Sequence, residues 1–312
     1  MNKKWFVIVN PTSGNGASKK KWPLIFNELK HQLFNFEFAI TTHKYHAETL
    51  TQNAISKGFK KFICVGGDGT LHAIVNGILS VNTENISTSL NNQSEIKIGI
   101  IPIGTGNDWV KTYNISKNYK EAITTIKAEN SQKQDIGKIT LIPENSVFYF
   151  NNLAGIGFDG FVVNKVHKFK NLGSLAYLSG ALVSLFSYKK PLLEITFNSK
   201  VIKSKTLLLF VGICKYCAGG MQLTKNPNAT DGLFDISFVK NITLFQIIAN
   251  IPELFNGKIV ENKIVENYKS NQLVIKVLDN HKTYIQADGE LIGSGNFKVN
   301  LLPKTLSFIV PN

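Results

Sequence analysis

Lys61-Phe62-Ile63-Cys64-Val65-Gly66-Gly67-Asp68-Gly69-Thr70-Leu71-His72-Ala73-Ile74-Val75-Asn76-Gly77-Ile78-Leu79-Ser80 is the stretch that decides the fold. Phe62 to Val65 is a short apolar run and reads as a buried strand. Leu71, Ile74, Val75, Ile78 and Leu79 recur at helical spacing and lie on one face of a helix. Between them stand glycines and small polar residues, so the stretch reads as strand, tight loop, helix, one unit of a parallel sheet. The same rhythm fills the first 130 residues. Trp5 to Val9, Phe36 to Thr41 and Ile96 to Ile101 read as further strands, and Trp22, Ile25, Phe26, Leu29 and Leu33 as the core face of a first helix. Tyr119 to Glu129 reads as the last helix of this half, and the polar stretch Val81 to Ser94 as a surface loop.

From about Gln134 the pattern changes to short runs separated by turn residues: Val147 to Phe150, Leu192 to Phe197, Leu207 to Ile213, Phe234 to Val239, Gln272 to Val277 and Thr283 to Ala287. Such spacing predicts a largely antiparallel second domain. It is interrupted by helical stretches at Gly173 to Tyr188 and around Leu244 to Phe255, and Leu306 to Val310 supplies a last strand. The expected architecture is an α/β domain over residues 1–133, followed by a largely antiparallel domain over 134–303.

The 312 residues carry 35 Lys+Arg against 21 Asp+Glu, a formal charge of +14, and are 43% hydrophobic, which excludes a disordered or fibrous chain. Every basic residue is lysine. Without a guanidinium fork, base-edge reading of nucleic acid is a poor explanation of the charge; attraction to nucleotide phosphates or anionic lipid remains. Three cysteines make no disulfide framework, and Cys214-Lys215-Tyr216-Cys217 with the distant Cys64 cannot complete a four-ligand zinc site, so ordinary thiols are expected. The N-terminus runs straight into a strand without the apolar region of a signal peptide, and the apolar stretch Leu172 to Phe186 is shorter than the about twenty residues a membrane span needs. These features predict a cytoplasmic protein.

In a doubly wound sheet the ligand sits at the carboxyl ends of the strands. Three loops fall there: Asn10-Pro11-Thr12-Ser13-Gly14-Asn15-Gly16, Gly66 to Thr70, and Gly104-Thr105-Gly106-Asn107-Asp108. Glycines admit a phosphate close to backbone N–H groups, and a following helix adds a favourable dipole. Neither the P-loop nor the dinucleotide spacing is present. Each loop alone reads as a tight turn, except that Asp68 beside a phosphate cradle calls for a cation, which Mg2+ supplies.

Taken together, these loops in this order closely resemble the catalytic domain of bacterial diacylglycerol kinases, which is similar to that of sphingosine kinases. The resemblance extends through Asn152 to Asp159 (NLAGIGFD), Pro227 to Asp235 (PNATDGLFD) and Ala287-Asp288-Gly289-Glu290, and so covers nearly the whole chain. It implies an ATP- and Mg2+-dependent lipid kinase, with a doubly wound nucleotide-binding domain over 1–133, a β-sandwich over 134–303 that shapes the lipid site, and the strand within 304–312 returning to the first domain. Asn10, Pro11, Thr12, Ser13, Gly14, Gly66, Gly67, Asp68, Gly69, Thr70, Leu71, His72 and Thr105 are implied to hold the nucleotide, as is Thr42, beside Thr41 at the end of the second strand. Asp68 is implied to position the Mg2+–phosphate group and Glu290 to act as general base. A second, structural Mg2+ is implied at Asp231 by its side chain, with Asn228 and Leu233 contributing backbone oxygens.

Read without the resemblance, Asp288-Gly289 and Asp231-Gly232 are hairpin turns, and His72 is a solvated residue of a first helical turn. Leu175, Leu178, Leu182, Leu185 and Phe186 line a lipid cleft or pack the sandwich. The neighbouring Lys165, Lys168, Lys170, Lys189 and Lys190 suit docking to an anionic membrane at its inner face, or form a solvated surface. The acceptor expected first is diacylglycerol. An NAD kinase and a non-catalytic lipid or nucleotide sensor are the rivals, a homodimer is left open, and no nucleic-acid partner is expected.

Overall fold

The computed structural model describes residues 4–81, 96–166, 184, 185 and 187–312. The loop expected at Val81 to Ser94 lies outside the described residues apart from Val81, as does most of the helical stretch Gly173 to Tyr188 with Leu175, Leu178, Leu182, Phe186, Lys168 and Lys170. The chain forms two compact units, Met1–Asp135 with Pro303–Asn312, and Ile136–Leu302.

In chain order the first unit contains β1 (Trp5–Val9), α1 (Ala17–His31), β2 (Phe36–Ile40), α2 (His46–Ser56), β3 (Lys61–Gly66), α3 (Asp68–Ser80), β4 (Lys97–Pro102), α4 (Asp108–Thr112) and α5 (Tyr119–Ala128). The strands run in the order β2-β1-β3-β4, all parallel. Helix α1 packs on α5, and α2 on α3. Val7, Val9, Ile63 and Val65 meet Ile25 and Leu29 of α1 and Ile123 and Ile126 of α5 in one fully buried cluster. Strands β1, β3 and β4 are buried on both faces, as their unbroken apolar runs require, whereas the edge strand β2 is half-buried to exposed.

Two expectations change here. Leu33 does not belong to the core face of α1: the helix stops at His31, and Leu33 sits at φ +60 with 84% of its surface exposed, while Phe34 turns into the core instead. Helix α2 was not expected at all. Its inward residues are Ala47, Thr51 and Ala54, too small to print a hydrophobic stripe.

The second unit begins within β5 (Ser131–Ile142) and continues through β6 (Val147–Phe150), β7 (Leu153–Gly157), α6 (Phe158–Val166), β8 (Leu192–Phe197), β9 (Lys200–Gly212), β10 (Tyr216–Cys217), β11 (Met221–Gln222) and β12 (Phe234–Lys240). Then come α7 (Leu244–Ala249), α8 (Ile251–Asn256), β13 (Val265–Ser270), β14 (Gln272–Val277), β15 (Tyr284–Ala287), β16 (Glu290–Ser294) and β17 (Asn296–Ile309). Its strands pair antiparallel, in the order β16-β15-β7-β9-β12-β13 on one side and β9-β8-β14-β17 on the other. The long β9 serves both: Lys200 to Lys205 pair with β8, and Leu208 to Gly212 with β7. Strand β8 alternates half-buried and buried residues, the mark of a sheet covered on one face. The helical stretch at Leu244 to Phe255 is two helices, because Pro252 opens the second and cannot continue the first.

The end of β17 rejoins the first unit, where Ser307 and Phe308 run parallel to Lys97 and Ile98 of β4. Buried Asp135 holds the returning strand by accepting the Lys304 N–H at 2.7 Å.

Candidate functional site

The three glycine loops occupy the carboxyl ends of β1, β3 and β4, and the structure ties them to one another. The Asn10 N–H donates to Val65 O at 3.0 Å and the Ile103 N–H to Gly66 O at 2.8 Å, extending the ladder beyond the strands. Asn10 Nδ2 donates to Thr70 Oγ1 at 3.0 Å, and Ser13 Oγ lies 3.5 Å from the same hydroxyl. Asn10 Oδ1 accepts from the N–H and hydroxyl of Thr12. The first loop is thus rigidly attached to the first turn of α3.

The second and third loops are in closer contact. A Cβ at Gly67 would lie 3.0 Å from Gly104 Cα, and one at Gly104 would lie 2.7 Å from Gly67 Cα and 2.5 Å from Asn107 Oδ1. Only glycine at both places lets the backbones approach so far. Asp68 closes the junction: its two carboxylate oxygens accept the N–H groups of Asp108 at 3.0 Å and Trp109 at 3.1 Å, the first residues of α4. This is a helix N-cap supplied from another loop, with the negative charge at the favourable end of the helix. Trp109, fully buried, donates from Nε1 to Gln134 Oε1 at 2.9 Å, which also accepts the Tyr113 hydroxyl at 2.7 Å.

The acceptor chemistry suits a cation held with a phosphate. Carboxylate oxygens of Asp108 and Asp68 stand 3.2 and 3.3 Å from the Cβ position at Gly106. Asp68 presents both carboxylate oxygens at this junction, where they accept the Asp108 and Trp109 N–H groups. Asn107 Oδ1 is buried with no hydrogen-bond partner among the described residues. Lys111 Nζ holds the other oxygen of Asp108 at 2.6 Å, so the fit to Mg2+, which takes one or two carboxylates and completes its shell with phosphate and water, rests on Asp68.

Not every residue implied by the resemblance joins this cluster. Thr105 is exposed on the third loop, whereas Leu71 is buried and packs the core. Thr42 is exposed, its N–H and hydroxyl bonded to His46 Nδ1 at 3.1 and 3.0 Å, and the buried neighbour Thr41 extends the ladder by donating to Val9 O. The reading of His72 as solvated is corrected. It is 6% exposed, with Asn76 Nδ2 3.3 Å from its Nε2, because α3 is covered along the face that carries it. Asn107 and Asp108 take their places here from the third loop, and their spacing after Gly104 is the signal in the sequence that marks them.

In the second unit Asp288-Gly289 is the tight turn between β15 and β16, with φ +50 and +82. Glu290, the first residue after it, is half-buried. Asp288 does more than turn. Its carboxylate accepts the N–H groups of Asn151, Asn152 and Leu153, each at 3.0 Å, and its own N–H donates to Leu153 O at 2.9 Å. Gln286 adds a second brace, accepting the Gly289 N–H at 2.7 Å and donating to Asp159 Oδ2 at 2.5 Å. Burial pushes the Asp159 carboxyl up to about 6, against the opposing effect of the Gln286 hydrogen bond. The sequence motifs around Asp159 and Asp288 are therefore the frame that holds Glu290.

The Asp231-Gly232 turn is built differently. Asp231 Oδ1 accepts the Leu233 N–H at 3.0 Å, and Oδ2 faces Lys269 Nζ at 3.1 Å. Cys64, Cys214 and Cys217 are buried and joined in no disulfide, and burial pushes the Cys64 thiol up. Lys165 Nζ donates to Ser187 Oγ, and Lys190 Nζ is bonded to Asn241 Oδ1 and Ile242 O. No helix among the described residues is long and apolar enough to cross a membrane.

Two family models match this chain. The diacylglycerol kinase catalytic domain matches residues 4–139, and the YegS C-terminal NAD kinase beta sandwich-like domain matches residues 152–310. Together they define a lipid kinase with an α/β catalytic domain and a β-sandwich partner domain. A diacylglycerol kinase of Bacillus subtilis (strain 168) is 26% identical over 92% of this chain and 89% of its own length. One from Staphylococcus aureus (strain bovine RF122 / ET3-1) is 26% identical over 100% and 94%. A crystal structure of a diacylglycerol kinase from Bacillus anthracis str. Sterne shares the fold, with a TM-score of 0.72 at 22% identity over 99% of this chain and 97% of that one. The chain belongs to the bacterial diacylglycerol kinase family, and it is a kinase.

Proposed function

We propose that the protein transfers the γ-phosphoryl group of ATP to a lipid hydroxyl, with diacylglycerol as the first candidate and phosphatidic acid as its product. The observation that carries the nucleotide half of this reading is the junction of Gly67 with Gly104, locked by Asp68. Glycine backbone placed against the amino end of α3 is suited to a chain of phosphates. The acceptor half rests on family membership and on Glu290 in its braced turn.

In this reading Asn10, Pro11, Thr12, Ser13, Gly14, Thr42, Gly66, Gly67, Gly69, Thr70, Leu71, His72 and Thr105 hold ATP, the buried members through the backbone. Asp68 would hold Mg2+, which when bound neutralises charge on the phosphates. Glu290 takes the proton of the acceptor hydroxyl. The oxygen bonds to the γ-phosphorus, the bond to the bridging oxygen breaks, and ADP leaves with those electrons. The enzyme would work at an anionic membrane surface, where its substrate lies and its lysine excess is attracted.

The test is purified protein with labelled ATP and Mg2+, offered diacylglycerol, a panel of other lipid alcohols, or NAD. Label in phosphatidic acid is expected. Transfer only to NAD, or to nothing, refutes the proposal.

A further inference from the structure

The resemblance places a second, structural Mg2+ at Asp231, Asn228 and Leu233, and the residues found there do not suit a divalent ion. Both oxygens of Asp231 are engaged, one by the Leu233 N–H and the other by the Lys269 ammonium. Asn228 O accepts the Asp231 N–H at 3.4 Å, and Asn228 Oδ1 accepts the N–H and hydroxyl of Thr230 at 3.1 and 2.9 Å. Mg2+ demands a near-octahedral oxygen shell at about 2.0–2.1 Å. An ammonium in contact with the one side-chain ligand repels it.

Lys269 is not a stray surface lysine. Strand pairing sets it directly opposite Asp235, and its Nζ lies 3.5 Å from Asp235 Oδ2 as well as 3.1 Å from Asp231 Oδ2. The Asp235 side chain is only 5% exposed. Two carboxylates brought together, one of them out of water, need a cation between them. The strand register delivers one permanently.

We propose that Lys269 is a built-in cation that stands in for the second Mg2+, so that the β-sandwich unit of this protein is held together at the 228–235 turn without metal. The inference concerns the fold of that unit and does not depend on which acceptor is phosphorylated.

Thermal unfolding of the full chain, stripped with EDTA and free of nucleotide, tests it, with Mn2+ binding followed in parallel by its paramagnetic signal. For the wild type the midpoint should be the same with and without millimolar Mg2+. Asp231→Asn should remove no Mn2+ binding. Lys269→Met should lower the midpoint by about 5 °C. Millimolar Mg2+ should recover part of that loss, since the two carboxylates then have only the divalent ion. A wild-type midpoint that rises with Mg2+, together with Mn2+ binding abolished by Asp231→Asn, overturns the proposal. So does a Lys269→Met protein as stable as wild type without metal. If Lys269→Met does not fold, the wild type and Asp231→Asn pair decides it.

Discussion

Asp68 carries two duties at the residue scale, and they can be separated. Its carboxylate caps the first turn of α4 and, in the proposed reaction, holds the cation. Asp68→Ala should therefore cost about 1–2 kcal/mol of stability, from two N–H groups that lose their acceptor, as well as nearly all turnover with any acceptor. Denaturant unfolding beside the kinase assay reads both, and an unchanged stability would remove the capping role. Glu290→Gln should instead lower kcat by about 100- to 10,000-fold while ATP binding, measured by calorimetry, stays within about twofold. Full activity would exclude Glu290 as the base.

Asp159 supplies a pH test at the same scale. Its carboxyl is pushed up to about 6 from an ordinary value near 3.8, so the fold favours the protonated acid. Its contribution to stability is then fully present below about pH 4, declines as pH rises, and is gone above about pH 6. Asp159→Asn keeps an acceptor for Gln286 and cannot ionise. Relative to wild type it should gain about 2–3 kcal/mol between pH 4 and pH 8 in denaturant titrations. A difference constant with pH would refute the assignment.

Among the elements, the second and third loops behave as one body because Gly67 and Gly104 touch. Gly104→Ala would press a methyl into the Gly67 backbone and Asn107, separating the loops. A loss of about 1–3 kcal/mol and at least tenfold weaker ATP binding are expected, with Glu290 chemistry otherwise intact. Wild-type affinity in that variant would show that the close approach does not serve the nucleotide. Helix α2 shows why some elements were not legible in sequence. It packs against α3 at Gly77, where an added Cβ would meet Glu48 O and Thr51 Cβ at 2.7 Å. An interface of Ala47, Thr51, Ala54 and glycine has almost no hydrophobic period, whereas α3, with Leu71, Ile74, Val75, Ile78 and Leu79 all buried, declares itself. The same holds for α4, whose short turn depends on a cap from another loop.

For the whole molecule the charge of +14 is the testable property. If lysines hold the enzyme at its substrate's membrane, co-sedimentation with liposomes should rise with anionic lipid content and fall as salt is raised from 50 to about 500 mM. Binding insensitive to anionic lipid would leave the lysines as a solvated surface. Lys190 already shows that nearness to an apolar helix is no guide: its ammonium is spent on Asn241 and Ile242 O.

The sequence by itself determined the parallel first unit, the antiparallel second, and the loops at the strand ends. Those follow from local rules: apolar period, glycine at tight turns, and spacing between motifs. Tertiary structure decided what the polar residues do. That Asp68 reaches α4, that Asp288 gathers the N–H groups of Asn151, Asn152 and Leu153, that His72 is buried, and that Lys269 sits on Asp231 and Asp235 are facts of side chains up to 137 residues apart in the chain. A carboxylate's partner is chosen by whatever the fold brings within 3 Å of it, and no local pattern in the sequence records that choice.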